Sequence, residues 1–135
     1  MNVLVNAFRE DATHHRACKV RLERLLASEE VVGIAEAVIV GFVRIATHMG
    51  VFHPPSTRRA AFGFVEALLS HPNCHRVIPG VQHWNLFRNL CEKADARGTL
   101  VMDAWLAAIA LETGSEVVTL DRDFSRFPGV KTSLP

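Results

Sequence analysis

The side chains best suited to chemistry are carboxylates at the ends of predicted elements. In EVVTLDRDFSRFPGV, residues 116–130, a strand-forming run gives way to Asp121 and Asp123, then Phe124, Phe127 and Pro128-Gly129. Asp103 lies in RGTLVMDAWLAAIALETG, where Ala104, Ala107 and Ala108 let a helix approach a neighbour closely. Glu36 opens a third element directly after a short apolar run. Such acids gathered in one crevice repel one another unless a cation sits between them. Oxygen-only ligands point to Mg²⁺ or Mn²⁺ rather than zinc. Ions of that kind neutralise and polarise a phosphate and activate a water.

Taken singly, each acid has a plainer reading. An Asp after a strand is commonly a turn residue, and Glu36 suits a helix N-terminus through the helix dipole. Asp103 beside an alanine-rich face is harder to explain that way, because a charge there is rarely buried unpaired. The combination carries more than any member.

The elements that must position these residues alternate. Asn2 to Ala7 (NVLVNA) predicts a short strand, and DATHHRACKVRLERLLAS predicts a helix capped by Asp11 or Thr13. Val31 to Ile34 is a second apolar run. Glu36 to Thr47 predicts a helix so apolar that it should be well buried. After VFHPPS, Ser56 is the expected cap of a helix to about Leu69, and CHRVIPG beyond it predicts a strand closed by Pro79-Gly80. Helices from Gln82 to Ala96 and from about Thr99 to Thr113, the latter closed by Gly114, precede the strand Glu116 to Leu120. Strands alternating with helices predict an α/β fold, a mainly parallel central sheet covered on both faces. Ligands collect beyond the carboxyl ends of such strands. A crossover helix starts at that same edge, so Asp103 and Asp121 are expected to meet there.

At 135 residues the chain has the size of a single domain, 1–135. Its net charge of +1 supplies no global attraction for nucleic acid, so a polyanion must be held by local cations or by a metal. No apolar run spans a membrane. Cys18, Cys74 and Cys91 are odd in number and widely spaced, which suits reduced thiols in the cytoplasm. His14, His15 and His83 lack zinc-ligand spacing, and Trp84 reads as packing or an interface contact.

The stretch from Arg97 to Val130 closely resembles the C-terminal half of PIN-domain ribonucleases, in particular VapC toxins. The carriers are the D-A-x-x-A-A-x-A helix and the strand ending T-x-D-x-D-F-x-x-F. GFVRIATHMGVF, VIPGVQHW and NVLVNAFRED extend the likeness over essentially the whole chain. The resemblance implies a three-layer α/β/α sandwich, Mg- or Mn-dependent endoribonuclease activity on RNA, a cognate VapB-type antitoxin and a homodimer. It makes Asp103 and Asp121 the family's third and fourth acids, Asp123 a frequently acidic neighbour and Thr119 the hydroxyl residue before the fourth acid. Asn2 falls beside the first acid, and Glu36 is the candidate for the second, about one helical turn early. Arg44 and Arg122 are candidate RNA contacts, although Arg44 equally suits a structural ion pair.

The family's first strand reads D-x-N-V-L-V, which places its Asp immediately before Met1. A GTG codon is read as Val internally and as Met when it initiates. The expectation is therefore that the first strand is truncated here and that the natural chain begins a few residues earlier. The chain as given should then bind Mg²⁺ weakly and cleave poorly. The alternative is a catalytically degraded PIN module that binds antitoxin or RNA without cleaving. A likeness of VVTLDRDFS to the phosphatase motif of haloacid dehalogenases fails, since that motif needs most of its domain downstream.

Overall fold

The computed structural model describes residues 1–135, which divide into two compact units: residues 1–77 with Pro135, and residues 78–134. The first contains α1 (Asn2–Phe8), α2 (His15–Leu26), β1 (Val32–Ala35), α3 (Glu36–Ala46), α4 (Arg58–Leu69) and β2 (Cys74–Val77). β1 and β2 pair in parallel, with Val32 opposite Cys74 and Ala35 opposite Val77. The Asn73 side-chain amide steadies this pairing by donating to the carbonyls of Leu25, Ser28 and Glu30 at the exit of α2. Phe8, Phe42 and Phe64 form an aromatic cluster with ring centroids 5.1–5.4 Å apart. Cys18 and Cys74 are buried, and burial pushes both thiols up, so they behave as small apolar groups.

Residues Asn2 to Ala7 are helical, which corrects the expected strand. The Val5 N–H donates to the Met1 carbonyl at 3.2 Å, and the Asn6 side chain donates to the Asn2 carbonyl at 2.9 Å, each four residues back. Val3, Leu4, Val5 and Ala7 are all buried. Their burial outweighs the roughly half a kcal/mol per residue that valine costs in a helix.

Two caps also move. Asp11 is drawn into a 2.6 Å ion pair with Arg9, and α2 begins after His14 with no side-chain cap. α4 is capped by Thr57, one residue beyond Ser56, through its hydroxyl and the Ala60 N–H. On α3 only Gly41, Phe42 and Ala46 are buried, while Val40 is 68 % exposed, so the helix is less enclosed than its composition predicted. A helix apolar all round presents one face to its core and leaves the other uncovered.

The second unit contains α5 (His83–Lys93), α6 (Thr99–Thr113), β3 (Glu116–Val118), a short 3-10 helix (Arg122–Arg126) and β4 (Lys131–Ser133). β3 and β4 pair in parallel, with Glu116 opposite Lys131. β4 lies beyond the strand Glu116 to Leu120, the last one expected from the amino-acid pattern. Gly114 ends α6 with φ 65°, the left-handed geometry expected of it. The core joins Leu90, Leu100, Ala104, Ala107, Ala108, Phe124 and Phe127. The α/β class and the parallel pairing are as expected, realised in two two-stranded ladders.

Candidate metal centre

α6 positions the first carboxylate. Ala104, Ala107 and Ala108 are wholly buried, at 0 % exposure, and leave room for large neighbours against the helix. Phe124 and Phe127 fill that room, with ring centroids 6.0 Å apart in an edge-on arrangement. Both are core residues, buried at 4 % and 2 % exposure. Seating them against α6 draws the segment that carries Asp121 and Asp123 towards Asp103.

Local hydrogen bonds shape that segment. The Thr119 backbone N–H donates to the Ser133 carbonyl at 3.0 Å, extending the β3–β4 ladder to the end of the strand. The buried Thr119 hydroxyl accepts the Asp121 N–H at 3.0 Å. Asp121 Oδ1 in turn accepts the Asp123 N–H at 2.9 Å and caps the 3-10 helix. One carboxylate thus sets the backbone that presents the next.

Asp103, Asp121 and Asp123 bring ligand oxygens within 4.8 Å of one another. Burial pushes the Asp103 carboxyl above its ordinary value, and the charges of Asp121 and then Asp123 push it further the same way. A cation would relieve that repulsion. Oxygens on opposite sides of an octahedral magnesium stand about 4 Å apart, so the spacing and the all-oxygen donor set fit a small hard divalent ion.

The other residues singled out in the sequence are not among these three clustered acids. Glu36 is the first residue of α3, in the amino-terminal unit, and pairs with Arg76 at 3.1 Å, both side chains being about half exposed. Asn2 is the first residue of α1, and its carbonyl accepts the Asn6 side chain. Arg44 is exposed in the last turn of α3, and Arg122 is exposed at the start of the 3-10 helix. Arg126 is anchored to the Ala94 carbonyl at 3.1 Å. His83 is buried with Nε2 2.9 Å from the Trp105 carbonyl.

One positioning residue escaped sequence reasoning. The Glu112 carboxylate accepts the N–H groups of Gly80 and Gln82 at 2.8 and 2.9 Å and so secures the entry to α5. Those bonds hold its carboxyl below the usual value, the Gly80 bond most. A glutamate in the last turn of a helix gives no local sign of a partner 30 residues away.

The family model described as PIN domain matches residues 1–130. The chain belongs to the PIN-domain family. Within that family it is similar to the VapC ribonucleases, as its C-terminal motif implied. This PIN-domain chain is 43 % identical over 134 residues to Ribonuclease VapC31 of Mycobacterium tuberculosis, covering 99 % of this chain and 94 % of that protein. It is 42 % identical over 135 residues to Ribonuclease VapC25 of the same species, covering 100 % and 95 %. Among solved structures, VapBC2 from Rickettsia felis, bound to a DNA fragment from their promoter, matches with a TM-score of 0.73 at 15 % identity, covering 98 % and 93 % of the two chains. That likeness supports the α/β PIN fold. No helix is long and apolar enough to cross a membrane.

Proposed function

We propose that this chain, acting as one PIN domain over residues 1–135, is a VapC-type toxin: a metal-dependent endoribonuclease that hydrolyses RNA phosphodiester bonds in the cytoplasm. The observation that carries the reading is the convergence of Asp103, Asp121 and Asp123 within 4.8 Å, in a chain 43 % identical to a VapC ribonuclease. Asp103 and Asp121 are the principal ligands for Mg²⁺ or Mn²⁺, and Asp123 is a further one. The bound ion supplies charge neutralisation at the phosphate and a more acidic water. Thr119 fixes the backbone that aims Asp121. Glu36 is assigned as an additional catalytic carboxylate and metal ligand, with Asn2 supporting the site. Arg44 and Arg122 are assigned to RNA phosphates.

The partner is a VapB-type antitoxin, and the toxin pairs with a second copy of itself. In the carboxy-terminal unit Ile78, Val81 and Trp84 are 63 %, 97 % and 64 % exposed, which leaves Trp84 available as an interface anchor. On α3, Val40 offers a second uncovered apolar position.

The deciding experiment incubates the purified protein with total RNA, with and without Mg²⁺, and maps the cut ends. Metal-dependent cleavage at defined positions is expected. No cleavage, together with no uptake of Mn²⁺ at millimolar concentration, would transfer the chain to the class of PIN modules that bind without cutting. Light scattering tests the homodimer, and a monodisperse monomer would remove it.

A further inference from the structure

α4 carries charges that its own stability does not call for. Its first turn holds Arg58 and Arg59 and no acid, although cations are disfavoured where the unsatisfied N–H groups of a helix carry partial positive charge. Both residues are exposed, and neither belongs to an ion pair. Glu66, the only acid of the helix, lies two turns away from them.

An aromatic ring shares their face. Ala61, Val65 and Leu68 form the buried side of α4, while Phe62 is 50 % exposed. Phe62 follows Arg59 by three residues and Arg58 by four, the spacings at which helical side chains are neighbours. Gly63 keeps the surface beside the ring open, since nothing lies within 4 Å of where its Cβ would stand.

We propose that this face of α4 is a docking platform for single-stranded RNA, on which an unpaired base stacks against Phe62 while Arg58 and Arg59 hold the flanking phosphates. The choice of RNA as the polyanion rests on the ribonuclease reading above. Charge complementarity does the rest: with a net charge of only +1, RNA must be held by local cations, and two unpaired guanidinium groups beside an exposed ring supply them. Stacking on an aromatic ring suits any base, so the platform contributes affinity with little sequence preference.

The test uses the full chain and an end-labelled, unstructured single-stranded RNA, followed by fluorescence anisotropy in EDTA so that nothing is cut. Phe62→Leu keeps the apolar bulk and loses the aromatic face, and it should weaken binding about tenfold, whereas Phe62→Trp should bind at least as tightly as wild type. The Arg58→Ala, Arg59→Ala double variant should weaken binding and flatten its salt dependence, by about 0.7 in the log–log slope per arginine. Wild-type affinity in Phe62→Leu, or an unchanged slope in the double variant, overturns the platform. A changed oligomeric state with unchanged RNA affinity would make the face a protein interface and overturn it equally. Failure of the ribonuclease reading has a separate signature: wild type would then still bind the labelled RNA through Phe62 and the two arginines but would not cut total RNA with Mn²⁺.

Discussion

Asp103→Asn removes one negative charge from a three-carboxylate cluster without changing side-chain shape. At the 4.8 Å limit of that cluster, two like charges repel by about 1 kcal/mol in a water-like dielectric and by about 3 kcal/mol at an effective dielectric of ~20. Asp123 is exposed, so the lower figure applies, reduced again by solvent screening. The metal-free variant should therefore be more stable than wild type by about 1 kcal/mol at neutral pH, or about 4 °C in Tm. The pH dependence follows from the upward shift of the Asp103 carboxyl. Because the folded state holds this proton more tightly than the unfolded chain, the associated stability is fully present below the ordinary value of 3.8 and is lost as pH rises through the raised value. The advantage of Asp103→Asn should accordingly appear at neutral pH and vanish in acid. Saturating Mn²⁺ should invert the order, since binding stabilises only the protein that retains its ligands. Affinity for Mn²⁺ should fall by at least the roughly tenfold typical of a lost outer partner, and RNA cleavage should cease. Thermal melts across pH, with and without Mn²⁺, read all of this. A variant that melts below wild type without metal, or that binds Mn²⁺ and cleaves as wild type does, would refute the reasoning.

Glu36→Gln should weaken calorimetric Mn²⁺ binding and lower cleavage without unfolding the protein. If Glu36 serves only its exposed pair with Arg76, the loss should be confined to a few tenths of a kcal/mol in stability. Thr119→Val keeps the buried shape but withdraws the acceptor from the Asp121 N–H, so it should cost about 1 kcal/mol by denaturant titration and also weaken Mn²⁺ binding. An unchanged metal affinity there would separate the hydroxyl from the site. Phe124→Ala, at a position only 4 % exposed, should cost about 3–5 kcal/mol and loosen the Asp121–Asp123 segment from α6. Near-wild-type stability would mean that the phenylalanine does not hold that segment down.

Much of the carboxy-terminal unit was legible in the amino-acid sequence because its signals are local. Small residues at helical spacing mark the face of α6 that packs, and Gly114 marks its end by a backbone geometry that glycine adopts at little cost. Thr119, Asp121 and Asp123 bond to one another within two residues, so their arrangement is written in their order. The amino-terminal helix was not legible. Two valines and a leucine read as a strand by propensity, and only the burial that Val3, Leu4, Val5 and Ala7 reach in the folded chain decided for a helix. The surface of α3 was equally hidden: composition states how apolar a helix is, whereas packing decides that Phe42 is enclosed and Val40 is not. The Glu112 bonds to the entry of α5 likewise join residues about 30 positions apart, a pairing that no local pattern encodes. The residue types of the acidic cluster belong to the sequence. That Asp103 stands within 4.8 Å of two acids some 20 positions away belongs to the tertiary structure, where two phenylalanines seated on an alanine face bring separate segments together.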